Sequence, residues 1–167
     1  CTDKRVNMVT PALFERYKTI ADFAEADEAE VGELIKTCGL FKTKARDIVM
    51  MCRQLHEDYN DVVPDTIEEL TGLSGVGRKT ANLVCGDLYG KPAYVCDTHV
   101  IRLTNRIGLA EGKDAVKVEQ QLRKIIPPEE SLMLCHRLGW HGRLVCGARK
   151  PQCEKCILNE ICSHKLK

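Results

Sequence analysis

Apolar residues recur along this chain at three- and four-residue intervals, and helix-start and helix-stop residues punctuate them. Thr10-Pro11 predicts a helix through about residue 20. Asp27 caps a second that runs to Cys38, with Gly39 as its stop. Thr43 caps a longer helix through about Tyr59, with Ala45, Ile48, Val49, Cys52 and Leu55 on its apolar face. Asp65 opens a short helix that ends at Thr71-Gly72, and another covers 78–89 before Gly90. Thr98 caps a helix over 99–107 that stops at Gly108. Asp114 caps one over 115–126, and Pro127-Pro128 forbid its continuation. A last helix covers roughly 129–144. No stretch keeps period two long enough for a strand, and only 93–96, after Pro92, reads as extended. The prediction is an all-α fold in two helical lobes, 1–91 and 92–167, divided at Gly90-Lys91-Pro92, with no internal repeat.

Composition narrows the class. With 167 residues, 44% of them hydrophobic, the chain can bury a core. No apolar run approaches the ~20 residues of a membrane span. The first residue is Cys1, which points to a fragment or a processed chain. Net charge is +1, neutral on the question of polyanions, but its distribution is uneven. Asp22, Glu25, Asp27, Glu28, Glu30 and Glu33 form an acidic run, while Arg143, Arg149, Lys150 and Lys155 cluster near the C-terminus. A polyanion would meet the second region and avoid the first; solvated faces produce the same pattern.

The segment Leu73-Ser74-Gly75-Val76-Gly77-Arg78-Lys79-Thr80 carries the most specific local signal. Gly72 and Gly77 give the spacing of a nucleotide-binding P-loop, but Arg78 stands where that motif needs its lysine, and the upstream segment reads as a helix rather than a strand. A helix, a hairpin with Gly75, Val76 and Gly77, and a second helix instead expose backbone N–H groups. Glycines there let a phosphate approach closely. The plainer alternative is an αα-corner packed inside the domain. Lys79 opens the second helix at the positive end of its dipole, where a cation is disfavoured and anions collect. Its amine is a candidate nucleophile; the plainer alternative is a solvated phosphate contact.

Ten cysteines are present. Cys1, Cys38, Cys52, Cys85, Cys96 and Cys135 are scattered through helical patterns and read as free thiols packed as small hydrophobes in a reducing compartment. Cys146, Cys153, Cys156 and Cys162 are different: C-x6-C-x2-C-x5-C is metal-ligand spacing. Structural zinc and a four-iron cluster both use four thiolates, and the spacing leaves both open.

Taken together, the hairpin through Asn82, then Val95-Cys96-Asp97-Thr98-His99, then His141-Gly142-Arg143 and the four-cysteine loop resemble the endonuclease III family of DNA glycosylases, over essentially the whole chain. The resemblance implies a six-helix-barrel lobe with a helix-hairpin-helix motif, beside a lobe that holds one [4Fe-4S] cluster on Cys146, Cys153, Cys156 and Cys162. It implies Lys79 as the attacking amine and Asp97 as its carboxylate partner. It places Leu40 where the family inserts a side chain into the duplex, and Gly75, Val76, Gly77, Arg143 and Lys150 against the DNA. The implied substrate is duplex DNA carrying an oxidised pyrimidine, excised and then nicked by β-elimination. The implied protein is a monomer, bound to no membrane, in a bacterial cytoplasm or nucleoid or a eukaryotic nucleus or mitochondrion. Two departures stand out. The family's N-terminal segment, with a gap-filling glutamine, would precede Cys1; without it such a chain is expected to expose core surface and lose part of its DNA grip. Cys96 also replaces a plain hydrophobe before Asp97. The alternatives are an adenine-specific mismatch glycosylase of the same superfamily, against which Lys79 argues, a non-catalytic DNA-binding module, and a redox-sensing iron–sulfur protein.

Overall fold

The computed structural model describes residues 1–164. Among them, nine α-helices and one short 3-10 helix make up the regular structure, and the only bridge outside helices joins Cys146 to Pro151. The fold is all-α. The chain divides into two compact units, Cys1–Gly77 and Arg78–Lys167.

In the first unit, α1 (Asp3–Arg16) starts well before the expected Thr10-Pro11. Thr2 caps it, its side chain accepting from the Arg5 N–H at 3.4 Å. Pro11 lies inside α1 and removes one backbone hydrogen bond. Asn7, whose carbonyl loses its partner, is exposed, so solvent can satisfy it. A capping box of Thr19 and Asp22 opens α2 (Ile20–Ala24), which the apolar pattern did not show. Asp27 caps α3 (Glu28–Leu34) as expected, its Oδ1 accepting from the Ala29 and Glu30 N–H groups. Two members of the acidic run are therefore helix caps. Leu40 enters α4 (Phe41–Tyr59) at φ 57 with no side-chain cap, so Thr43 sits within the first turn rather than before it. Ala45, Val49 and Cys52 of α4 pack with Leu13, Tyr17, Phe23, Val31 and Ile35 in one core. Thr66 caps α5 (Ile67–Gly72). A turn then closes with the Val76 N–H donating to the Leu73 carbonyl at 3.1 Å.

The second unit contains α6 (Arg78–Asp87), α7 (Thr98–Ile107), α8 (Ala115–Ile125) and α9 (Pro128–Leu144). Its core comprises Tyr94, Val95, Cys96, Val100, Leu103, Val118, Leu122, Cys135 and Leu138. The division falls ahead of Gly90-Lys91-Pro92 because residues 93–96, all buried, return onto α6. The Tyr94 N–H donates to Asn82 Oδ1 at 3.1 Å, and the Ala93 N–H donates to Ser131 Oγ at 3.1 Å. These side chains satisfy the first two N–H groups of the segment, and the Cys96 and Asp97 N–H groups donate to the Tyr94 and Val95 carbonyls, both at 3.0 Å.

Five of the six scattered cysteines are buried; Cys1 is exposed. Burial pushes the Cys96 thiol up to about 12 and the Cys135 thiol up to about 11. Both therefore stay neutral and pack as small apolar groups. No helix among the described residues is long and apolar enough to cross a membrane.

Candidate active site and cysteine loop

The hairpin explains its first glycine in detail. Gly75 adopts φ +72, and a Cβ there would stand 2.8 Å from Asp47 Cβ. Both backbone and space demand glycine. Gly77 differs, since a Cβ there would meet nothing within 4 Å. Packing does not require it, and the bare backbone remains open to a ligand. The helix upstream, α5, removes the strand that a P-loop needs.

Lys79 stands in the first turn of α6 and is exposed, not buried. Its neighbour Arg78 turns away into an ion pair: Nε donates to Glu119 Oε2 at 2.8 Å and Nη2 to Oε1 at 2.9 Å. Lys79 lines a cavity of about 130 Å³ together with Asp97, Leu83, Val95, Val100, Cys135, His136, Gly139, Trp140 and Arg143. The site thus gathers the start of α6, the start of α7 and one face of α9.

Asp97, rather than Thr98, caps α7. Its Oδ1 accepts from the His99 and Val100 N–H groups, both at 2.8 Å. Two short bonds to backbone fix the carboxylate beside the cavity that Lys79 also lines. His99 is structural: its Nδ1 lies 3.2 Å from Arg102 Nη2. Arg143 lies over the Trp140 ring at 5.6 Å and lines the same cavity. Leu40 is 79% exposed in a left-handed conformation. Lys150 is exposed, in a tight turn where its carbonyl would lie 3.2 Å from a Cβ on Gly147.

All four C-terminal cysteines line one cavity, with Arg106, Val145, Pro151 and His164 among its other walls. Among the described residues no three His, Cys, Asp or Glu side chains stand close enough to hold a single metal ion. The sulfurs nevertheless have polar company. Arg106 Nη1 donates to Cys146 Sγ at 3.1 Å, and His141 Nε2 lies 3.2 Å from Cys156 Sγ. Arg106 also donates to the Gly147 and Ala148 carbonyls, and Arg102 to those of Gly142 and Cys146. These two arginines, one turn apart on α7, hold the loop's backbone. Nothing in the linear pattern marked them, since the loop they hold lies some 40 residues on.

Comparison with known proteins matches this architecture. Residues 1–128 fit the HhH-GPD superfamily of base excision DNA repair proteins. Endonuclease III of Synechocystis is 45% identical over 163 residues, covering 97% of this chain and 74% of the relative. Endonuclease III of Haemophilus influenzae is 44% identical over 166 residues, covering 99% and 79%. The chain belongs to the endonuclease III family. Among solved structures, a trapped endonuclease III–DNA covalent intermediate superimposes with a TM-score of 0.93 at 42% identity, covering 98% of this chain and 78% of that one. A thermostable thymine-DNA glycosylase superimposes at 0.83 with 26% identity, covering 98% and 77%. In this endonuclease III family member, the lysine, the aspartate and the four cysteines all fall in the second unit, in two cavities that share no residue.

Proposed function

We propose that this chain is a bifunctional DNA glycosylase and abasic-site lyase that removes oxidised or ring-saturated pyrimidines from duplex DNA, working as a monomer in the compartment that holds the DNA. The observation that carries the reading is one cavity lined by both Lys79 and Asp97, in a chain of the endonuclease III family.

The damaged base leaves the stack so that its C1′ can be reached. The neutral Lys79 amine forms a bond to C1′ as the glycosidic C–N bond breaks, and the base departs with the electron pair and takes up a proton. Asp97 faces the positive charge that develops on the sugar and accepts the proton that Lys79 sheds. The sugar ring opens to a Schiff base with Lys79. Loss of a C2′ proton then expels the 3′ phosphate oxygen, which nicks the strand, and water releases the amine.

The four cysteines suit a [4Fe-4S] cluster: four thiols on one cavity, with an Arg106 N–H donor at the Cys146 sulfur and the His141 ring nitrogen beside that of Cys156. Bound there, the cluster would cross-link the loop. Cys146, Cys153, Cys156 and Cys162 would hold it, and Arg149 and Lys150 on the intervening loop would be presented to phosphates. The hairpin of Gly75, Val76 and Gly77 would take the backbone by its N–H groups, with Arg143 adding charge.

Leu40 fits the role of a side chain inserted into the duplex. A leucine at positive φ is strained, and a strained apolar residue left 79% exposed points to function. Leu40→Gly is therefore expected to raise stability by about 0.5–1 kcal/mol by relieving that strain. The same change should weaken binding to lesion duplex severalfold. Thermal unfolding and a fluorescence-anisotropy titration check the two halves.

The reading is tested by mixing the protein with abasic-site duplex and borohydride, which reduces a Schiff base to a stable amine. The expected result is a protein–DNA adduct whose peptide map places the modification on Lys79. An adduct on another residue, or none, overturns it.

A further inference from the structure

One wall of the Lys79 cavity is not accounted for by the chemistry of Lys79 and Asp97. On α9, His136, Gly139, Trp140 and Arg143 follow at helical spacing on one face, and all four line the cavity. Gly139 lies within α9, where glycine is the least favourable residue after proline. Two other helical glycines of this unit are required by packing. A Cβ on Gly86 would stand 2.7 Å from Leu132 Cδ1, and one on Gly142 would stand 2.9 Å from Arg102 Nη2. A Cβ on Gly139 would meet nothing within 4 Å. The fold gives no reason for this glycine, and its effect is to leave the cavity open beside Trp140.

Trp140 is the chain's one tryptophan and is 60% exposed. The Arg143 guanidinium lies 5.6 Å from its ring centroid, a cation–π contact that restrains the indole. A restrained flat ring bordering open space is a stacking platform for a planar ligand.

We propose that Gly139 and Trp140 form the slot for the extruded base, Gly139 by leaving room and Trp140 by stacking on the ring. This rests on the glycosylase reading above, because only a base out of the helix can enter. The slot takes six-membered rings of pyrimidine size, and enlarging residue 139 narrows it.

Because the chain has one tryptophan, its fluorescence reports Trp140 alone. Two duplexes serve as probes, with saturation checked by anisotropy. One carries 5-hydroxycytosine on a 2′-fluorinated sugar that resists excision, and the other a tetrahydrofuran site with no base. Quenching by the first and not by the second is expected. Equal quenching by both, or none by either, overturns the proposal. Gly139→Val and Trp140→Leu should each lower kcat/KM for excising 5-hydroxycytosine about tenfold or more relative to trapping of a preformed abasic site, and Trp140→Phe should restore most of the loss. A fall of equal size in both reactions overturns the assignment of these residues to the base. If wild-type protein gives no trapped adduct at all, the glycosylase–lyase reading fails. If it gives the adduct but the two duplexes quench alike, only the slot fails.

Discussion

Replacing Lys79 with alanine is expected to abolish the trapped adduct with abasic-site DNA and to lower the lyase rate about 10³-fold or more, the scale on which loss of a nucleophile acts. The structure makes this a clean experiment. Lys79 is exposed in the first turn of α6. Alanine there has high helix propensity and removes no buried contact, so the fold should survive. Binding to a tetrahydrofuran duplex should weaken only modestly, by the loss of one cation near phosphate. A protein that merely grips DNA through the hairpin behaves differently: it gives no adduct even with Lys79 present, and the substitution changes binding alone. Lys79→Gln separates the two further, because it keeps a hydrogen-bond donor without a nucleophile. If the alanine protein still traps at the wild-type rate, another amine does the chemistry.

What could be read from the chain follows the range of the interaction that decides each feature. Asp27, Asp114 and Gly108 were legible because a cap is settled within three or four residues, by one side chain and the N–H or carbonyl groups beside it. The start of α7 was misplaced by one residue for a related reason. Asp97 and Thr98 are both good caps, and only the observed bonds from His99 and Val100 choose between them. The start of α1 was missed because Pro11 looks like a helix opener, whereas Thr2 caps the helix and Pro11 lies within it on an exposed turn.

The site divides in the same way. Lys79 stands out in the hairpin motif and Asp97 enters through the family resemblance of its segment; both line one cavity. Gly139 and Trp140 look like ordinary helix residues, and only the meeting of α6, α7 and α9 gives them a cavity to line. Arg102 and Arg106 are similar, since their partners arrive from the far side of α9. Lys79 stands exposed because α6 presents Ala81, Asn82 and Cys85 inward and leaves its first turn in solvent. Its neighbour Arg78 is turned to Glu119, which nothing in the local sequence signals.

Glu119→Gln is expected to destabilise the protein by about 2 kcal/mol at pH 7, and the cost should shrink in acid. The Glu119 side chain is 4% exposed and accepts from Arg78 and Arg123. Arg123 in turn lies 4.6 Å over the Tyr94 ring. One carboxylate therefore ties the first residue of α6 to α8 and, through Arg123, to the buried 93–96 segment. Removing one partner of a buried ion pair costs about 3–5 kcal/mol. The lower figure applies here because the arginine side chains are 43% and 40% exposed and can rehydrate. Burial pushes the Glu119 carboxyl up, but the hydrogen bonds and charges of Arg78 and Arg123 outweigh it and hold the group below its ordinary 4.5. A carboxyl lower in the folded state stabilises above its unfolded value, and that contribution disappears as pH falls through the folded one. Denaturant titrations of wild type and Glu119→Gln should therefore differ most at neutral pH, and the difference should narrow steadily as the pH falls below the ordinary carboxyl value of 4.5. Equal differences at pH 7 and pH 3 would show that Glu119 acts by shape rather than charge. Convergence would establish that an acid-labile carboxylate, paired with the residue preceding Lys79, secures the start of the helix that carries Lys79.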